Sequence, residues 1–187
     1  MHALLPLLFF LAHPFWELRT PPQWTDREIE DMLNDSPWAQ HVGSAPDVLV
    51  YFATAQPIEL AQAEANRRYH TKPAELDADY TNYLKQHRAD SFILAIPYAS
   101  LSGLGSASDD RKLQDETVMK AGHQTYHFAG YFPPTPRDPV LRLVFPRKVQ
   151  VSDKSVVFEL YLPGIPLPRR DVEFTLKDMV YHGKLEM

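Results

Sequence analysis

The sequence predicts an α+β domain: a mostly antiparallel sheet of about five to six strands, with helices from the N-terminal half packed on one face. Three observations predict it. Two strand-length apolar runs, residues 48–53 (VLVYFA) and 91–98 (SFILAIPY), are separated by two segments of helical periodicity. The last third of the chain alternates apolar with polar residues, as half-buried strands do. The 187 residues, 44% hydrophobic and 23% charged, are the length and composition of one packed domain.

Taken in order, residues 3–12 (ALLPLLFFLA) carry no charge and have the length of a signal-peptide core, well short of a membrane span. Residues 1–12 are therefore read as a possible signal peptide, although no Lys or Arg precedes the apolar run. Export to the periplasm or outside the cell is the expectation, with a cytoplasmic chain as the alternative and no membrane span. Residues 13–23, rich in proline and aromatic residues, read as an extended lead-in. Residues 24–187 form the single α+β domain.

Thr25 and Glu28 make a capping box for a short helix whose inner stripe is Ile29, Met32 and Leu33. Ser36 and Pro37 then start a second turn anchored by Trp38. Residues 48–53 are a central strand, followed by a helix from Pro57 to about Tyr69 that turns Ile58, Ala61, Ala65 and Tyr69 inward. A second helix, from about Ala74 to Arg88, turns Leu76, Tyr80, Tyr83 and Leu84 inward, and residues 91–98 return as a strand. Residues 101–110 are a loop, residues 112–120 fit either a short helix or a strand, and the four prolines of residues 131–139 exclude a regular element. Strands follow at 140–145, 156–162 and 172–176, and residues 179–187 fit a final strand with Gly183 at a bulge.

The net charge of −5 argues against a nucleic-acid binder, since Arg147-Lys148 and Arg169-Arg170 are too small a basic footprint. The absence of cysteine removes disulfides, thiolate metal sites and cysteine nucleophiles. His123 and His127 have the spacing of helical metal ligands but lie in an extended segment, about 13 Å apart on a strand. Gly103 and Gly105 lack the third glycine and the lysine of a phosphate loop, and Ser100, Ser102, Ser106 and Ser108 lack the frame of a nucleophile elbow. The acidic residues Asp26, Glu28, Glu30 and Asp31 read as a solvated helix start.

The proline-stiffened apolar segments suit partner recognition, because they lose little entropy on docking. The residues assigned to a protein partner are Phe15, Trp16 and Trp24 in the lead-in, and Pro163, Ile165, Pro166, Pro168 and Arg169 in the loop PGIPLPRR. The competing reading has these segments covering the domain's own core. The function expected is thus a non-catalytic extracytoplasmic binding or accessory protein, with no cofactor, no metal and no catalytic residue assigned. Two alternatives stand beside it: a small hydrolase or ligand-binding enzyme using loop 100–108 with a histidine, and a weak histidine-based metal binder.

Two stretches also carry a resemblance. Trp24-Thr25 with Glu28, then Met32-Leu33 and Ser36-Pro37-Trp38-Ala39, are similar to the opening of a family of small uncharacterised exported bacterial proteins. Phe145-Pro146-Arg147, and Phe174 through Tyr181 with Gly183-Lys184-Leu185-Glu186, resemble its closing signature. The resemblance spans roughly Trp24 to Met187. It implies export and carries over no activity and no catalytic residue.

Overall fold

A computed structural model describes residues 14–71, 76–98 and 107–187, and the possible signal peptide lies outside them. Two antiparallel sheets face one another, and helices cover the outer face of the larger one. That sheet has the order β1-β2-β3-β7-β6, from Ala39–Val42, Val48–Phe52, Ser91–Pro97, Val140–Pro146 and Gly130–Phe132. The second has the order β5-β4-β8-β9, from Gln124–His127, Val118–Ala121, Ser155–Tyr161 and Arg169–Thr175. The fold is α+β with the expected five-stranded antiparallel sheet and helices on one face of it, and the remaining described strands form a further antiparallel layer and a short hairpin. The division has a simple cause: the last strands are apolar on one side only, so that side needs a second layer to cover it.

β3 and β7 are buried on both faces and pair along their full length, Phe92 opposite Phe145 and Pro97 opposite Val140. Paired residues share a face. Phe52, Phe92 and Phe145 thereby point toward the second sheet and meet Phe158 of β8 and Phe174 of β9. Phe158 lies 5.7 Å from Phe52, 6.2 Å from Phe92, 5.1 Å from Phe145 and 6.1 Å from Phe174 between ring centroids. All five rings are fully buried. Edge-to-face contacts of this kind add about 0.5–1.5 kcal/mol each beyond the area they bury.

The opposite face of the large sheet carries α3 (Gln56–Tyr69) and α4 (Ala78–His87), which connect β2 to the adjacent antiparallel strand β3. Ile58 and Ala61 of α3 are fully buried, whereas Tyr69 lies at the exposed end of its helix. Tyr80, Tyr83 and Leu84 of α4 pack with Ile93, Val144 and Phe132. α2 (Asp26–Asn34) lies against α3 and begins with the expected capping box, in which Glu28 N–H donates to Thr25 Oγ1 at 3.2 Å. The ambiguous stretch 112–120 is both things in turn, the end of α5 (Ala107–Glu116) and then β4.

Three local expectations change. The lead-in is not extended: α1 (Phe15–Leu18), capped by Pro14, and a 3-10 turn at Pro21–Gln23, whose first residue Pro21 has the fixed φ that suits a helix start, occupy it. Residues 180–185 form a small hairpin of β10 (Val180–Tyr181) and β11 (Lys184–Leu185) rather than one bulged strand. His182 and Gly183 make its turn with φ of 48° and 77°, the positive values that a two-residue hairpin turn takes. The second turn expected at Ser36 is a tight bridge instead, in which Ser36 Oγ accepts from Trp38 N–H at 3.2 Å.

The last residues are tied into the core. Trp38 is fully buried, and its indole N–H donates to the Glu186 carbonyl at 2.9 Å. Thr54 and Arg147 both donate to the Met187 carbonyl, at 3.1 and 3.0 Å. On the surface, Arg68 of α3 binds Asp26 at 2.8 Å and the Trp24 carbonyl at 2.6 Å, and with Arg67 it grips the buried Glu64 carboxylate.

Phe158→Ala is expected to destabilise the domain by about 3–5 kcal/mol in urea unfolding, the cost of emptying a ring-sized space between the sheets. Hydrogen bonds from Arg67 above all, and from Arg68, hold the Glu64 carboxyl at about 2 against the opposing effect of burial, down from its ordinary 4.5. A depressed carboxyl pKa contributes stability above the unfolded value that is lost as pH falls through the folded one. Stability measured between pH 4.5 and 2 should therefore fall, and fall less in Glu64→Gln.

Candidate functional site

The lead-in aromatics fold onto their own domain. Trp24 is 2% exposed and donates its indole N–H to the Arg19 carbonyl at 3.1 Å. Phe15 and Trp16 are half-buried, their rings 5.0 Å apart, with Trp16 lying 5.5 Å from Trp38. An indole beside an unfilled core gains more by burial there than by waiting for a partner, so Trp24 is an internal anchor. Phe15 and Trp16 pack against the same core and stay partly exposed.

The loop 163–169 behaves differently. Pro163 is buried, and its carbonyl accepts from the Tyr98 hydroxyl at 2.5 Å. Leu162 N–H donates to the Pro168 carbonyl at 2.7 Å and closes the loop. Beneath it lies Arg170, only 8% exposed, whose guanidinium donates to the carbonyls of Pro166, Leu167 and Arg169. Ile165 and Pro168 are half-buried, while Pro166 and Arg169 are exposed. At the tip stands a residue that the sequence reading passed over. Leu167 is 75% exposed and has a φ of 51°, a left-handed conformation that costs a bulky residue about 1–2 kcal/mol. Beside it, Lys112, Glu116, Tyr161, Pro168 and Arg169 outline a shallow depression of about 460 Å³, bordered by the Arg169–Glu116 ion pair at 2.8 Å.

His123 sits in the turn between β4 and β5 and His127 at the far end of β5, both exposed. Among the described residues no group of three or more His, Asp or Glu side chains could hold a metal ion. Ser100, Ser102 and Ser106 lie outside the described residues, and Ser108 belongs to α5.

A second site, unforeseen, lies between α3, α4 and the helix-covered face of the large sheet. Register places Tyr51, Ala95, Arg142 and Phe132 in one row across four strands. Arg142 and Asp138 are both buried, 7% and 5% exposed, and pair in bidentate fashion at 2.7 and 3.1 Å. The guanidinium lies 4.6 Å from the centre of the Tyr80 ring. Burial pushes the Tyr80 hydroxyl up to about 12 despite the opposing Arg142 charge, and it raises Tyr51 in the same way. Tyr51, Tyr80, Asp138 and Arg142 line an open cleft of about 560 Å³, whose walls include Leu33, Gln62, Asn66 and Val140. The sequence held one signal for it: Arg142 interrupts the otherwise apolar strand VLRLVF.

No family model, curated protein or solved structure matches the chain. Among the described residues no helix is long and apolar enough to cross a membrane.

Asp138→Ala leaves a buried guanidinium unpaired and is expected to cost about 3–5 kcal/mol. The double variant Asp138→Leu/Arg142→Met should recover much of that loss in urea unfolding, since an apolar pair of similar volume needs no counter-charge.

Proposed function

We propose that the protein is a non-catalytic binding or accessory protein, exported from the cytoplasm, that docks a protein partner through the loop 163–169. The observation that carries this reading is Leu167, a large apolar side chain displayed at the tip of a loop in a conformation that costs stability. Arg170 and three prolines hold that loop, so little entropy remains to be lost when the leucine enters an apolar socket. The reading narrows the contact set to Ile165, Pro166, Leu167, Pro168 and Arg169, with Pro163 as a buried support. Export rests on the charge-free apolar run of residues 3–12 and on the resemblance of the two end motifs.

Native mass spectrometry of the protein purified from its own cells tests both parts. A stoichiometric partner is expected on a chain that begins after the leader. Leu167→Gly relieves the left-handed backbone and should melt no lower than the parent, yet lose the partner. Retention of the partner by Leu167→Gly, or a chain that co-purifies with none, overturns the docking reading. A mass that includes residues 1–12 overturns export.

A further inference from the structure

The cleft over the large sheet lies apart from loop 163–169 and has the size and the mixture of groups of a small-molecule site. At about 560 Å³ it falls in the range of about 300–1,000 Å³ typical of ligand pockets. Its charges are already matched. Asp138 takes both of its contacts from the Arg142 fork, and at the rim Glu59 pairs with Arg88 at 2.5 and 2.7 Å. An anion would have to displace Asp138 from Arg142, and a cation would meet the buried guanidinium. Neither gains enough to offset breaking a buried bidentate pair.

What the cleft offers is a network of polar groups without net charge, in which Gln62 pairs with Tyr51 and Arg142 with Tyr80. The Asp138 carboxylate has further lone pairs, and a guanidinium carries five N–H groups. Gln62 contributes an amide, and two phenols, Tyr51 and Tyr80, face the same space. Burial keeps both phenols protonated throughout the physiological range, so each can donate as well as accept. A hydroxyl can both donate and accept among these groups, and the aliphatic wall at Leu33 and Val140 suits the C–H face of a sugar ring. From the matched Arg142–Asp138 pair flanked by two phenols and an amide, we infer that this cleft binds a neutral, hydroxyl-rich small molecule of mono- or disaccharide size.

The test is thermal unfolding and calorimetric titration of the intact protein with neutral sugars (D-glucose, D-galactose, N-acetyl-D-glucosamine and maltose) and with glycine, glutamate and lysine as charged controls. At about 10 mM, at least one neutral sugar should raise the melting temperature by about 2–4 °C. The exposed Gln62 allows a variant that folds normally: Gln62→Ala should melt like the parent without sugar and bind that sugar at least tenfold more weakly. Tyr51→Phe, which keeps the ring and removes the hydroxyl, should weaken binding similarly. No shift with any neutral sugar, a shift with the charged controls alone, or undiminished sugar binding by both variants overturns the inference.

Discussion

Five phenylalanines, Phe52, Phe92, Phe145, Phe158 and Phe174, form the layer on which the domain rests. They come from both sheets and from sequence positions more than a hundred residues apart, and all are withdrawn from water. Without that layer each sheet would carry an exposed apolar face, and the second sheet has no helix of the first half to cover it. The sandwich is a consequence of burying these rings on both sides. Once it is made, the opposite face of the large sheet becomes available to α3 and α4.

The closing segment is tied to the same core by polar groups. A buried indole N–H left unpaired is costly, and Trp38 finds its acceptor in the backbone of Glu186, nearly the full length of the domain away in sequence. Thr54 and Arg147 converge on the next residue, Met187. The N-terminal motif around Trp38 and the C-terminal motif ending at Glu186 are therefore one structural unit, and their residue types follow from packing and hydrogen bonding.

Two places depart from what stability alone would select. Loop 163–169 holds a leucine in a left-handed conformation in front of solvent, and a buried arginine holds the loop. The helix-covered face of the large sheet retains an ion pair and two phenols where aliphatic residues would pack at lower cost. Both departures lie on well-anchored elements, the second at the start of the doubly buried strand β7. A rigid frame that keeps strained or polar groups in position is what a binding surface requires.

Much of the fold was legible in the sequence because its signals are local. Capping at Thr25 and Glu28, the periodicity of residues 57–69, and the apolar runs at 48–53 and 91–98 each report on neighbours within a few residues. The division of strands between two sheets was not legible, since a strand's alternation says which side is buried and not against what. Nor was the fate of the aromatic lead-in, where the same Trp24 could anchor a partner or its own core until the third dimension placed it beside Phe15 and Arg19. Of the two candidate sites, the proline-rich loop could be named from composition, while its exposed Leu167 could not, because φ and exposure are set by the closing contacts of Arg170. The cleft is still further from the chain's linear order: Tyr51, Ala95, Arg142 and Phe132 become a row only through strand register. The sequence by itself determined the helices and strands that carry a strong periodicity or a continuous apolar run, and the faces of those strands that avoid water; the tertiary structure alone decided which polar groups meet, because hydrogen bonds and ion pairs act over a few ångströms that only folding brings about.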